Sequence, residues 1–179
     1  AVPTAQRAEA DPASAELASS SELSVTYPLF RKRQVSSQET VQVHWITGEI
    51  PAGHWIADEH RLLRGDALVP ATGYVEFIRA ALAELSESAT GWKITSLMLL
   101  QPFYVEDGRP RPFRMSLRGL PGRWRVQVFA DFGSSADPNW QLTATARILP
   151  AAATTLERLD FAAIAARCGA TPVAGDVTS

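Results

Sequence analysis

The sequence predicts an α+β fold in which one long, apolar helix packs against a curved antiparallel sheet. Apolar side chains recur at three- and four-residue spacing between Tyr74 and Leu85, which is typical of a buried helix. The strong signals that follow are all of the β type, and short turns join them as in an antiparallel meander. Apolar residues make up 46% of the 179 residues, which is enough to bury a core around such a helix.

Composition divides the chain into three parts. Residues 1–24 are rich in Ala, Ser, Glu and Pro and contain almost no large apolar residue, so we expect a flexible linker or tail. Residues 25–153 carry the predicted folded domain. Residues 154–179 hold a short helical pattern, from Leu156 to Cys168, and then a second linker, so we expect them to connect this domain to another.

Local signals mark the first strand and the long helix. VQVHWITGEI, residues 41–50, alternates and is β-branched, as strands are. The chain then turns at PAG, and the next stretch has mixed strand and loop character. The helix follows Pro70, and Thr72 is a candidate N-cap because its hydroxyl can accept from a first-turn N–H. Gly91 punctuates the segment that ends the helix.

Four further segments predict the rest of the sheet. WKITSLMLLQPFYV is a long apolar strand region, and FRMSLRG and WRVQVFADF are two strands joined by LPG. NWQLTATARIL alternates, and we expect one of its faces to hold Trp140, Leu142, Ala144, Ala146 and Ile148. A helix that is apolar or small around most of its circumference must be wrapped by the sheet. The hotdog fold has this arrangement.

The totals argue against several functional classes. A net charge of −2 gives no basic surplus for nucleic acid. Cys168 is the only cysteine, so we expect neither a disulfide nor a Cys-rich metal site within the chain. The three histidines, His44, His54 and His60, lack metal-ligand spacing. With no apolar run of ~18 residues and no signal-peptide pattern, we expect no membrane partner and a cytoplasmic location.

His60 lies where a catalytic base could act. It precedes Pro70 on the segment that leads into the long helix. A helix N-terminus offers unpaired N–H groups and a partial positive charge, which can stabilise a developing oxyanion. An imidazole can accept a proton near neutral pH. Two alternatives stay open: His60 is a surface turn residue, and Asp58 and Glu59 either raise its pKa or are simply solvated.

The stretch HWIADEHRLLRGDALVPATGYVEFIRAAL, residues 54–82, resembles the N-terminal half of the dehydratase domain of modular polyketide synthases. That family carries a His-x3-Gly-x4-Pro motif before its helix, and the spacing from Gly65 to Pro70 matches. YPLFRKR is similar to the opening stretch of the family, and His54-Trp55 to a non-catalytic position. LDFAAIAARC resembles the segment that joins the two hotdogs of the family, so the resemblance covers most of the chain.

This resemblance implies the first half of a double hotdog that removes water from a 3-hydroxyacyl thioester. His60 would be the base, and Gly65, Pro70, Gly73 and Tyr74 would form the substrate-binding helix entrance, with N–H groups near Gly73 facing the thioester carbonyl. No metal and no directly bound cofactor is implied, since the substrate rides on the phosphopantetheine of an acyl carrier protein. The expected partners are that carrier protein, the C-terminal hotdog half, and a second synthase copy in a homodimer.

The sequence departs from the family pattern at two positions. Four residues separate His60 from Gly65 instead of three, so a bulge or loop must absorb one. Ala71 replaces a frequent Gly, which costs little in a helix. The acid of the family, an Asp in a DxxxQ/H motif, lies on the second hotdog with a YGP motif. The DPNWQ match at Asp137 is expected to be a turn, so this chain alone should not dehydrate efficiently.

Other functions stay open at this point. The same site could close a ring by hydroxyl addition, as an oxa-Michael cyclase, or shift a double bond as an isomerase. A non-catalytic structural module is the alternative outside enzymes, and the extra residue after His60 favours it. A single-hotdog thioesterase or a free-standing fatty-acid dehydratase is disfavoured by the long linker tails. Tyr74 could pack in the core or take part in the active site.

Overall fold

The structure, a computed structural model, describes residues 21–38, 41–62, 65–85, 91–151 and 160–167. Its strands are β1 (Ser21–Leu23), β2 (Phe30–Gln38), β3 (Val41–Ile50), β4 (Ala67–Leu68), β5 (Trp92–Leu99), β6 (Tyr104–Val105), β7 (Arg111–Leu120), β8 (Arg123–Asp131) and β9 (Trp140–Pro150). Its helices are α1 (Trp55–Asp58), α2 (Ala71–Glu84) and α3 (Phe161–Arg167). Within these residues, seven strands form one antiparallel sheet in the order β1-β2-β3-β7-β8-β9-β5, and β4 pairs with β6.

Helix α2 lies against one face of this sheet and forms the centre of the core. Its buried side chains include Tyr74, Phe77 and Ile78, which pack with the inward residues of the strands. The ring of Phe77 stacks on that of Phe113 from β7, with centroids 4.9 Å apart and an interplanar angle of 14°. The predicted arrangement of one long helix against an antiparallel sheet is therefore confirmed.

Gly48 of β3 makes room for the ring stack under α2. A Cβ atom at Gly48 would lie 2.6 Å from Cζ of Phe113, closer than packed atoms approach. The lack of a side chain there lets Phe113 lie flat beneath Phe77. A glycine inside a strand often marks such a close approach.

A bulge in β9 corrects the predicted face of that strand. Val128 pairs with Ala144, but the next residue, Phe129, pairs with Leu142, so Thr143 is the extra residue. Thr143 is fully buried, and its hydroxyl donates to the carbonyl of Val128 at 3.1 Å. Because a one-residue shift reverses side-chain direction, Leu142 joins an outer cluster. Ala144, Ala146 and Ile148 face the core, whereas Trp140 packs with Leu142 on the outer cluster of Val43, Trp45 and Phe129.

Several other boundaries differ from the sequence prediction. The sheet begins at Ser21, inside the predicted tail, because β1 pairs with β2. Helix α2 has Pro70 as its N-cap with no side-chain capping bond, so Thr72 is a first-turn residue and not the cap. Val75, placed in the predicted apolar repeat, is exposed. The apolar region around residues 92–105 is two strands, β5 and β6, separated by a break.

The remaining predictions for the ends of the chain fall largely outside the described residues. Residues 1–20, 152–159 and 168–179, including Cys168, lie outside them. Of the predicted connector helix, Phe161–Arg167 is present as α3, and none of its side chains is buried. Among the described residues, no helix has both the length and the apolar character needed to cross a membrane.

Candidate active site at the entrance of helix α2

A cleft of about 310 Å³ lies where α1 meets the N-terminus of α2. It contains three of the five predicted site residues, and its lining consists of Trp55, Ile56, Glu59, His60, Pro70, Thr72, Gly73 and Glu76. The structure therefore places His60 beside the helix entrance, as the sequence order suggested. Gly65 and Tyr74 do not line this cleft.

The backbone of His60 is fixed on both sides. Its N–H donates to the carbonyl of Ala57 at 2.9 Å, which ties it to the end of α1. Its carbonyl accepts the N–H of Leu68 from β4, also at 2.9 Å. The side chain of His60 is exposed, so the imidazole is accessible from the cleft. The end of α1 and strand β4 thus fix the backbone position of a solvent-accessible histidine.

His54 caps the short helix that leads to His60. The N–H of Ile56 donates to Nδ1 of His54 at 3.3 Å, and burial lowers the pKa of His54. An imidazole must be neutral at Nδ1 to accept this bond, so the lowered pKa suits the capping role. The rings of His54 and Trp55 lie 5.6 Å apart. His54 is therefore structural, as predicted.

Residues 63 and 64, where a bulge or loop was expected to absorb the extra residue between His60 and Gly65, lie outside the described residues. The residues on either side of them are joined by hydrogen bonds. The N–H of Leu62 donates to the carbonyl of Asp66 at 3.0 Å, and the N–H of Gly65 donates to the carbonyl of Leu62 at 2.9 Å. Gly65 has a φ of +96°, which favours glycine. These bonds between Leu62, Gly65 and Asp66 form alongside the bond from the Leu68 N–H to the His60 carbonyl.

Arg61, next to His60, joins three parts of the chain. Its guanidinium pairs with Asp58 of α1, donates to the carbonyl of Gly65 at 2.5 Å, and lies 2.8 Å from the carboxylate of Asp107 in the turn before β7. Hydrogen bonds to Asp107 and then to Asp58 raise the pKa of Arg61. Asp58 therefore pairs with Arg61.

Helix α2 presents two free donors at its N-terminus. The N–H of Gly73 donates to the carbonyl of Pro70 at 2.9 Å, and that of Tyr74 to the same oxygen at 3.4 Å. Within the described part of the chain, the N–H groups of Ala71 and Thr72 have no hydrogen-bond acceptor. The donors available to a ligand at the positive end of the helix are therefore those of Ala71 and Thr72, the two residues just before the predicted Gly73.

Gly73 lines the cleft and also allows close packing. A Cβ atom at Gly73 would lie 2.8 Å from Cγ1 of Val69 and 3.3 Å from Cγ1 of Ile56. The first turn of α2 therefore approaches α1 and the segment after β4 more closely than a residue with a side chain would allow.

Tyr74 lies in the core and reaches a second cleft. It is 1% exposed, burial raises the pKa of its phenol to about 12, and its hydroxyl hydrogen-bonds with Thr143 at the β9 bulge. This second cleft, of about 270 Å³, is lined by Leu68, Val69, Tyr74, Leu99, Leu100, Gln101, Pro102 and Phe103. Tyr74 therefore packs in the core, and its predicted part in substrate binding stays a prediction.

Glu76, which the sequence analysis did not single out, is the carboxylate on the helix side of the cleft. Both its oxygens accept from Arg79, from Nε and Nη2, each at 2.7 Å. The hydrogen bond from Arg79 lowers the pKa of Glu76, and the hydroxyl of Tyr27 also bonds to it. A Glu and an Arg three residues apart on a helix are the signal that could have identified this pair.

A seven-stranded antiparallel sheet packed against one long central helix is the arrangement of a hotdog domain. The polyketide synthase dehydratase domain family matches residues 27–131. The chain therefore belongs to that family, which confirms the predicted resemblance. A search of curated proteins finds no match.

Solved structures show the same fold. The dehydratase domain from the CurF module of curacin polyketide synthase has a TM-score of 0.62 at 20% identity, over 78% of this chain and 50% of that one. The dehydratase domain from the CurJ module has a TM-score of 0.63 at 19% identity, over 78% of this chain and 46% of that one. The bifunctional dehydratase-cyclase domain in ambruticin biosynthesis has a TM-score of 0.58 at 20% identity, over 75% of this chain and 47% of that one. The chain thus spans about half the length of these domains, as expected for the first hotdog of a pair.

Proposed function

We propose that this domain is the N-terminal half of a dehydratase that removes water from a 3-hydroxyacyl thioester on the phosphopantetheine of an acyl carrier protein. The observation that carries the proposal is the shared cleft, in which His60 lies beside the N-terminus of α2. A base and an oxyanion-stabilising helix end are what proton abstraction beside a thioester carbonyl requires.

In the proposed reaction the neutral imidazole of His60 takes the proton from the α-carbon of the substrate. The negative charge that develops on the thioester oxygen is stabilised by the N–H groups of Ala71 and Thr72, which have no acceptor among the described residues. The electron pair then forms the α,β double bond, and the β-hydroxyl leaves as water after receiving a proton from an acid. No step calls for a metal or a redox cofactor.

The acid for this reaction is proposed to come from a second hotdog. Two carboxylates line the cleft, the exposed Glu59 beside His60 and Glu76 on α2. Glu76 is held by Arg79, which lowers its pKa and keeps it ionised. An acid that must donate a proton near neutral pH needs the opposite shift. Asp137 of the DPNWQ match lies in the loop between β8 and β9, where its N–H donates to the hydroxyl of Ser134. It does not line the cleft.

The apolar end of β5 is the proposed contact surface for the second hotdog. This strand is at one edge of the sheet, and Met98, Leu99 and Leu100 are each about half exposed. The second cleft, which includes Leu99 and Leu100, opens beside it. An unpaired strand edge next to exposed large apolar side chains is typical of a surface that another protein unit covers.

Reconstitution tests the proposal. The chain is incubated with a 3-hydroxyacyl carrier protein, alone and together with a C-terminal hotdog half from the same biosynthetic locus, and the loss of water is followed by mass spectrometry. We expect turnover only for the mixture. Efficient dehydration by this chain alone would contradict the proposed division of base and acid.

Two substitutions separate the roles of the candidate residues. His60→Ala should reduce turnover by the mixture by roughly 10²–10⁴-fold, the usual contribution of a positioned base. Asp137→Asn serves as the control and should leave the rate unchanged. Full activity of His60→Ala, or a large loss in Asp137→Asn, would assign the chemistry to other residues.

Ring closure is the second candidate function. The ambruticin domain of similar fold is described as a bifunctional dehydratase-cyclase. In such a reaction a hydroxyl of the acyl chain would add to the new double bond in the same cleft. NMR analysis of the product from a substrate with a distal hydroxyl distinguishes a cyclic ether from an open-chain alkene or a shifted double bond.

A further inference from the structure

Three arginines form a row across the sheet. Arg118 of β7 is directly opposite Arg125 of β8, and Arg125 is directly opposite Arg147 of β9. Arg123 is two residues before Arg125 on the same side of β8, and Lys93 on β5 is two residues before Thr95, the partner of Arg147. These five cations are called the basic patch.

The basic patch lies on the face of the sheet that is turned away from α2. The residues that alternate with it belong to the core, namely Leu117, Trp124, Val126, Ala146 and Ile148. All five cations are exposed. An open groove of about 410 Å³ contains the four arginines of the patch together with Val41 and Leu149. The patch is therefore separate from the His60 cleft.

The positive charges of Arg125 and Arg147 in the basic patch are not balanced by nearby carboxylates among the described residues. Within the described ranges, neither side chain forms an ion pair with a carboxylate. Like charges directly opposite one another on neighbouring strands destabilise a sheet. Five of the 17 Lys and Arg residues of a chain with net charge −2 are nevertheless placed here.

We infer that the basic patch binds an acidic helix of a partner protein that lies across β7, β8 and β9. Neighbouring strands are ~4.8 Å apart, and the Cβ atoms of residues three or four apart on a helix face are ~5–6 Å apart. A helix that crosses the strands would thus present one carboxylate to each arginine of the row. This inference goes beyond the proposed reaction and does not depend on it.

The apolar border of the patch favours a protein over a polyphosphate. Leu120, at the β7–β8 turn, is 49% exposed, and Val41 and Leu149 lie in the groove itself. Protein interfaces combine such apolar contacts with charged ones, whereas phosphate backbones are bound by cations and polar groups.

Fluorescence anisotropy with a labelled, alanine-rich helical peptide tests the inference on the full 179-residue chain. The peptide carries four Glu on one face, and a control peptide of equal composition distributes them around the helix. We expect tighter binding of the one-faced peptide and weaker binding as salt rises. Equal binding of the two peptides, or tighter binding of a single-stranded oligonucleotide, would overturn it.

Matched variants locate the binding surface. Arg125→Gln with Arg147→Gln should weaken binding roughly tenfold, as expected for two exposed charge pairs. Arg31→Gln with Arg109→Gln removes the same charge from exposed positions elsewhere and should change binding less than about twofold. Equal loss in both double variants would show a nonspecific effect of charge. Arg125→Glu should recover binding with a peptide that carries one Lys for Glu, and failure to do so would contradict the geometry.

Discussion

At the scale of single residues, His44 is a buried titratable group. It packs against Trp124, with ring centroids 5.4 Å apart. Its Nε2 bonds to Gln42 at 3.2 Å, while Nδ1 has no hydrogen-bond partner. Burial and then the charge of Arg33 lower the pKa of His44 to about 4.

His44 should make the fold sensitive to mild acid. Because the folded-state pKa is about 4 and the ordinary value is 6.5, the unfolded state binds more protons between these limits. The free energy of unfolding should therefore fall as pH drops from about 6.5 towards 4, by on the order of 1–3 kcal/mol. Urea unfolding at several pH values measures this. The His44→Gln variant should lose this dependence of the unfolding free energy on pH. An unchanged dependence in the variant would show that another group causes it.

Asp107 should act on catalysis by positioning His60 through Arg61. Asp107→Asn removes the ion pair that joins the turn before β7 to Arg61, the residue after His60. In the reconstituted dehydratase we expect kcat to fall several-fold with little change in KM or melting temperature, because exposed pairs add little stability. Asp137→Asn is the control. A change in KM alone would place Asp107 in substrate binding instead.

At the scale of elements, the entrance of α2 depends on close packing as much as on hydrogen bonds. The first turn of the helix lies against Val69 and Ile56 at Gly73, and the N–H groups of Ala71 and Thr72 in the same turn have no acceptor among the described residues. The packing at Gly73 therefore affects both the stability of the domain and the geometry of the site.

Gly73→Ala should destabilise the domain. The added methyl group would lie 2.8 Å from Val69, and relieving that overlap should cost about 1–3 kcal/mol, partly offset by the higher helix propensity of Ala. Thr72→Ala, an exposed neighbour in the same turn, is the control and should stay within about 0.5 kcal/mol of the parent. Denaturant titration compares the two variants, and equal stability of Gly73→Ala and the parent would refute the packing argument.

The sequence predicted the helix and most strands because their apolar periods are long and regular. It did not predict that Trp140 and Leu142 face away from α2, because the bulge at Thr143 depends on pairing with β8. It placed His60 near Pro70 from order along the chain. It could not identify Ala71 and Thr72 as the free donors, since that depends on which N–H groups the Pro70 carbonyl accepts.

At the scale of the whole molecule, the domain has one well-covered core and one uncovered side. Helix α2 fills one face of the sheet, and the outer cluster around Trp45 is stabilised by Arg114, whose guanidinium lies 4.4 Å from the ring centre of Trp140. The β5 edge, in contrast, leaves Met98 and Leu100 about half exposed. The family match and the half coverage of similar domains agree with this asymmetry.

The isolated chain should self-associate through the β5 edge. Exposed apolar side chains at an unpaired strand invite pairing with another copy. Met98→Lys with Leu100→Lys should shift the chain towards monomer in size-exclusion chromatography with light scattering. Leu23→Lys, which changes an exposed apolar residue on β1, should leave the distribution as it was. If only the Leu23 variant becomes monomeric, the contact lies at the other edge.

The hydrogen bonds on either side of the gap between His60 and Gly65 bear on how relatives of this domain are found. The bonds that fix His60 to Ala57 and Leu68 do not involve the residues between Leu62 and Gly65, so the number of residues there can vary while His60 and the helix entrance stay together. A search pattern with a fixed gap between the histidine and the glycine would overlook such sequences. Allowing three or four residues in that gap, and keeping the Gly-to-Pro distance constant, should recover them.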